Sequence, residues 1–192
     1  VTADSDAVRE HAEALAAMRN VGWRGRVPRR FRDATLDSIA DPLYTDLLAW
    51  VTHDFPRPNL ILTGPPGVGK THAAVAAARA RWDLGDDVRF RAVAALMEGL
   101  RPDGPDSLDV LVGVDVLVLD DLGAEKPTDW TRERLDLLID ARWAATLPTI
   151  ITTNLRPDGL EQVLGPRVWS RVAEQSATAY VVSGADRRRD RP

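Results

Sequence analysis

Apolar residues recur along the chain in two periods, and stretches of the two periods alternate. Asn59 to Thr63, Val114 to Leu119, Pro148 to Thr153 and Ala177 to Val182 are short apolar or β-branched runs, and Asp87 to Ala92 alternates apolar with polar. These five read as strands. Between them lie helical patterns. Lys70 to Leu84 is closed by Gly85, and Val93 to Leu100 is short. Thr128 to Ala144 carries Leu135, Leu138 and Ile139 behind a Thr128 or Asp129 cap. Asp158 to Leu164 and Pro166 to Glu174 are parted by Gly165. Upstream, Asp41-Pro42 opens a helix through Leu43, Leu47, Leu48 and Val51 that ends before Pro56. Residues 4–19 place Val8, Ala12, Leu15 and Ala16 on one helical face, with Asp4 or Ser5 as cap. Val21 to Arg30 shows no period and several breakers. It reads as a basic connector lying against the body through Trp23 and Phe31. Arg101 to Ser107 reads as a surface loop.

This alternation predicts an α/β fold with a five-stranded, mostly parallel sheet flanked by helices. The expected division is an N-terminal helix and connector, 1–26, and one core, 27–192. The junction of the first strand and its helix carries Gly64-Pro65-Pro66-Gly67-Val68-Gly69-Lys70-Thr71, which fits G-x-x-x-x-G-K-[ST] in the strand–loop–helix setting of a phosphate loop. The glycines allow successive N–H groups to point into one concavity, and the helix N-terminus adds to the pull on an anion. His72 follows in the first turn. Lys70 is expected at the β- and γ-phosphates of ATP, and the Thr71 hydroxyl at Mg²⁺. The chain holds two lysines against 23 arginines, so a lysine at this position answers a need for a compact ammonium.

Open parallel sheets bind ligands at the carboxyl ends of their strands. Asp120, Asp121 and Asn154 fall at predicted strand ends and can converge on Lys70 there. Asp120 is a candidate Mg²⁺ ligand. Asp121 is a candidate to aim or deprotonate the attacking water, or else a turn cap. Asn154 either bonds that water or ends its strand in an Asx-turn. Arg89, Arg91 and Arg101 are either a phosphate-facing stripe or solvated charges.

Composition narrows the classes. The 192 residues carry a net charge of −4, against a generally basic nucleic-acid binder though not against a local basic patch. There are no cysteines, which excludes disulfides, zinc-thiolate sites and cysteine nucleophiles and fits a reducing interior such as the cytoplasm. No apolar run reaches 18 residues, so no membrane span is expected, and the acidic start of the chain lacks the features of a secretion signal.

Leu117-Val118-Leu119-Asp120-Asp121-Leu122-Gly123-Ala124-Glu125-Lys126, Thr128-Asp129-Trp130 and Ile151-Thr152-Thr153-Asn154-Leu155 together resemble the DnaC-type helicase loaders of the AAA+ ATPases, which share their core with IstB-type transposition helpers. Arg167-Val168-Trp169-Ser170-Arg171-Val172 resembles that family's arginine-finger motif. Gly184-Ala185-Asp186-Arg187-Arg188 resembles its terminal element. The likeness spans about residues 27–188.

The resemblance implies a P-loop ATPase in which Gly64 to Thr71 bind the triphosphate and Asp120 and Asp121 form the Mg²⁺ and water-activating pair. Asn154 would be the first sensor, and Arg188 the second. Arg171, with Arg167 as accessory, would be inserted in trans into a neighbouring subunit's site. It further implies self-association, a replicative helicase and single-stranded DNA as partners, and slow hydrolysis by a monomer. The alternatives are a transposase helper, a weakly hydrolysing adaptor and a small-molecule kinase, for which no substrate lid is evident. About 20 residues precede the core and about ten follow the last strand, so neither a sizeable helicase-binding domain nor a C-terminal lid is expected. Residues near Val27 to Phe31 are the expected adenine neighbours.

Overall fold

The computed structural model describes residues 14, 17–52, 59–124 and 128–182, the side chains of 177–181 excepted. Five strands form one sheet: β1 (Asn59–Thr63), β2 (Val88–Ala92), β3 (Val116–Leu122), β4 (Thr149–Thr153) and β5 (Ser176–Val181). Their spatial order is β2-β3-β4-β1-β5, and every adjacent pair is parallel. The chain steps from β2 to β3 to β4 and then past β1 to β5. Those connections hold α4 (Val93–Gly99), α5 (Leu108–Gly113), α6 (Asp129–Ala144), α7 (Pro157–Leu164) and α8 (Pro166–Glu174). The step from β1 back to β2 runs the other way and carries α3 (Lys70–Leu84), which lies on the opposite face with α2 (Leu43–Thr52). Right-handed crossovers force this division of helices between the two faces.

Alternation along the strands fills both cores. Leu60, Leu62, Val116, Val118 and Ile150 pack toward α2 and α3, while Ile61, Leu117, Leu119 and Ile151 pack toward α4 to α8. α3 is buried along Ala73, Ala74, Ala76, Ala77 and Ala78. Alanine combines high helix propensity with a small side chain, so this helix sits close against the sheet and holds its N-terminus at the end of β1.

Three differences from the sequence reading have physical causes. Val21 to Arg24 is helical, the end of α1, which is described over residues 17–24. Gly22 does not break it: a Cβ there would stand 3.2 Å from the Trp82 ring, so the glycine lets α1 approach α3. Trp23 is fully buried and Phe31 packs against the same core, as expected. The Arg19 and Arg26 guanidiniums lie 5.3 and 4.6 Å from the Trp82 ring centre, and Arg26 also bonds Asp87. Second, α5 has no counterpart in the sequence reading, because six residues with only Leu111 buried show no period. Third, β3 does not stop before the two aspartates but continues through them to Leu122. The start expected for the first helix, with its Asp4 or Ser5 cap, lies outside the described residues.

Candidate nucleotide site

β1 ends at Thr63, and the chain turns through three glycines with positive φ before α3 begins: Gly64 (148°), Gly67 (85°) and Gly69 (107°). A Cβ on Gly64 would lie 2.2 Å from the Val182 carbonyl oxygen, so the backbone following β5 leaves no room for a side chain. Gly69 occupies the N-cap of α3 and supplies no side-chain hydrogen bond. A first helical turn without a side-chain cap favours an anion.

The Lys70 side chain folds back into this loop. Its Nζ donates to the Gly64 and Pro65 carbonyls, each at 2.8 Å, and to Asn154 Oδ1 at 2.7 Å. The Asn154 Nδ2 in turn donates to Asp121 Oδ1 at 2.9 Å. The ammonium, the amide and the carboxylate, from three separate segments, are thereby joined in one chain of hydrogen bonds.

The two aspartates owe their placement to an irregularity in the sheet. Leu119 pairs with Ile151 and Leu122 with Thr153, so three steps on β3 match two on β4. The extra residue is a β-bulge. Adjacent residues of a regular strand point to opposite faces; here Asp121 takes a left-handed φ of 59°, and both carboxylates meet residues of the site. Thr152 sits against the bulge. Its Oγ1 donates to Asp120 Oδ1 at 2.7 Å and accepts from the Asp121 N–H at 2.9 Å. Thr71 also hydrogen-bonds Asp120.

Burial raises the Asp120 pKa above the ordinary carboxylate value, and the charge of Asp121 adds to the rise. The hydrogen bonds from Thr152 and Thr71 and the charge of Lys70 oppose it. A carboxylate held this way gains from a cation placed against it.

The structure therefore brings together Gly64 to Thr71, Asp120, Asp121 and Asn154. His72 is turned to the side, with its Nε2 2.7 Å from Ser38 Oγ in the short 3₁₀ turn Leu36–Ser38. Val27 is buried and Phe31 packs into the core beneath α2 and α3. Arg91 is bonded to Asp106, while Arg101 is an exposed, solvated charge paired with Glu98. Arg188 lies outside the described residues, as do Glu125 and Lys126.

Arg171 is remote from its own phosphate loop. It lines a small cavity with Asn59 and Thr149, the first residues of β1 and β4, at the amino edge of the sheet. Arg171 is ion-paired with Asp140 and its guanidinium lies 4.9 Å from the Trp143 ring centre. Two contributors escaped the sequence reading, Thr152 and Ser38. Period-two spacing puts Thr152 on the face of Asn154, and that was the available signal; nothing in the sequence singles out Ser38.

The family model for the IstB-like ATP binding protein matches residues 35–172, most of the chain. The chain belongs to the IstB-like ATP binding protein family. Its fold matches a crystal structure of the DnaC helicase loader with a TM-score of 0.70 and 29% identity, over 81% of this chain and 98% of that one. The replicative helicase loader DnaC of Escherichia coli K12 is 28% identical over 59% of this chain and 49% of its own length. An insertion sequence IS1162 protein of Pseudomonas fluorescens, described as ATP-binding, is 38% identical over 52% of this chain and 45% of its own. The chain spans about half the length of the curated relatives it matches. As a member of this family it carries the AAA+ P-loop fold. No helix among the described residues is long and apolar enough to cross a membrane.

Proposed function

We propose that this IstB-family chain binds Mg-ATP in the pocket built by Gly64 to Thr71, hydrolyses it, and uses the nucleotide state to act with a replicative helicase on single-stranded DNA in the cytoplasm. The observation that carries the reading is the bonded path Lys70–Asn154–Asp121 beside Thr152–Asp120, which gathers a cation, an amide and two carboxylates at the loop. The residues fit the group. The loop carries positive-φ glycines, the first turn of α3 has no side-chain cap, and Thr71 and Asp120 form a hard-oxygen donor pair suited to Mg²⁺.

Lys70 would exchange its loop carbonyls for phosphate oxygens, and the backbone N–H groups of the loop and His72 would hold the remaining charge. Thr71 and Asp120 would hold Mg²⁺, which when bound would offset charge on the phosphates. Asp121 Oδ1 aims the water and takes its proton as the oxygen joins the γ-phosphorus and the bond to ADP breaks. Asn154, already bonded to Lys70 and Asp121, fixes the distance between them. The proposed units are 1–26 and 27–192, with Arg188 as a second contact to the γ-phosphate.

The amino-edge position of Arg171 supports a role in trans, since its own loop lies at the carboxyl edge. Self-association then completes the site. The test is the ATPase rate per subunit against protein concentration, with and without single-stranded DNA. The rate should climb with both, and Arg171→Ala should abolish the climb. A flat rate, with Arg171→Ala silent, overturns the reading. The insertion-sequence relative supports a second reading, an ATPase helper of a transposase. Co-purification with a non-hydrolysable ATP analogue separates the two by whether a helicase or a transposase is retained.

A further inference from the structure

α6 and α8 meet along a ladder of charges. Asp136, Asp140 and Trp143 lie on one face of α6 at spacings of four and three, and Arg167 and Arg171 face them one turn apart on α8. Arg167 bonds Asp136 at 3.1 Å and Asp140 at 2.5 Å, and Arg171 pairs with the other oxygen of Asp140. The Asp140 and Arg171 side chains are each 26% exposed, whereas Arg167 is 64% exposed. The inner pair is thus partly shielded from water, where an ion pair keeps more of its strength than at an open surface. The indole of Trp143 adds a second hold on the same guanidinium. Arg171 therefore already has a counterion, shared with Arg167, and a ring contact within its own subunit, both on one helix.

We infer that Asp140 is a positioning residue that latches Arg171 in cis, so that a phosphate of a neighbouring subunit must outcompete this carboxylate before the arginine engages. This rests on the trans role of Arg171 given above. While Asp140 holds Nη1 and the guanidinium rests by the Trp143 ring, that nitrogen is not available to a phosphate, and the pair must open before the whole fork can turn to one. Assembly exchanges one anionic partner for another, and the strength of the latch sets the protein concentration at which the exchange occurs. A nucleoside triphosphate carries more negative charge than a diphosphate, so the latch also favours release against ATP over ADP. Arg167 shares the carboxylate and keeps Asp140 in place when Arg171 leaves.

The experiment measures the protein concentration giving half-maximal ATPase per subunit, with saturating Mg-ATP. Asp140→Asn keeps the size of the side chain and removes its charge, and should lower that midpoint about five-fold. Trp143→Phe weakens the ring contact and should move it the same way by less. Self-association with a non-hydrolysable ATP analogue, read by sedimentation, should tighten with Asp140→Asn in the wild-type background and not respond to it on an Arg171→Ala background, a dependence that a merely structural role would not produce. A midpoint unchanged or raised by Asp140→Asn overturns the latch. Arg171→Ala without effect on the wild-type concentration dependence instead overturns the trans role itself, so the two failures are distinguishable.

Discussion

Two buried cations sit at opposite edges of the sheet, and they do different work. Lys70 is 7% exposed at the carboxyl edge and Arg142 is 1% exposed at the amino edge. Both are satisfied chiefly by backbone carbonyls. Arg142 donates to the carbonyls of Leu111, Val114 and Pro148 and to the Thr149 hydroxyl, tying the end of α5 and the start of β4 to α6. Burial pulls its pKa down to about 10, with the charge of Asp115 opposing. Lys70 bonds two carbonyls of its own glycine-rich loop and the amide of Asn154, which is bonded onward to a carboxylate. Burial and full hydrogen bonding are common to both. The difference lies in what the acceptors are anchored to: Arg142 bridges packed elements, while Lys70 sits among left-handed glycines at a helix N-terminus that attracts anions.

That contrast can be broken at four points. Removing the Arg142 guanidinium leaves several buried carbonyls without a donor. Arg142→Ala should therefore cost about 3–5 kcal/mol of stability in chemical denaturation, while the molecules that remain folded keep their nucleotide affinity. If affinity falls and stability holds, the two cations have been assigned the wrong way round. Lys70→Ala should do the reverse. Hydrolysis per folded molecule should drop by at least ~100-fold, with the melting temperature close to wild type.

Thr152→Val tests the bulge. It keeps the shape but deletes the hydroxyl that holds Asp120 and the Asp121 N–H, and turnover should fall by about 10-fold, more in kcat than in nucleotide affinity. Equal losses in both would indicate a collapsed pocket instead of a misaimed pair.

The smallest effect concerns Asp120 without nucleotide. Its folded pKa lies above its unfolded value, so the folded state holds the proton to higher pH. The ionised form then costs stability above the folded pKa, and the cost disappears below the unfolded pKa, near 4. Asp120→Asn should accordingly melt above wild type at pH 7, and the gap should close as the pH is lowered toward 4. A gap of opposite sign at neutral pH would show that Thr152, Thr71 and Lys70 outweigh burial.

Most of the fold was legible before the structure. The phosphate loop, the strand order of the motifs and the helices that follow β1, β3 and β4 each have strong local signals, from glycine, capping residues or runs of β-branched residues. Thr128 accepts from the Thr131 N–H at the start of α6, as a cap should. Short elements escaped. α5 and the end of α1 are decided by what they touch, Arg142 in one case and Trp82 in the other, and no period within a few residues reports such a partner. Within the site, residue identities were legible and directions were not. Asp120 and Asp121 are neighbours in sequence, and only the pairing of β3 against β4 reveals that a bulge turns both to use.

Residue types and their order were enough to point to phosphate binding here: glycines that can bend around an anion, one lysine beside them, and acids and an amide at strand ends. Those are local properties of side chains and backbone freedom, and they survive any arrangement of the rest. Direction, distance and partnership belonged to the packed molecule. The extra residue in β3, the turn of His72 toward Ser38 and the grip of Asp140 and Trp143 on Arg171 arise where separate segments meet, and a contact between distant segments has no signature along one chain.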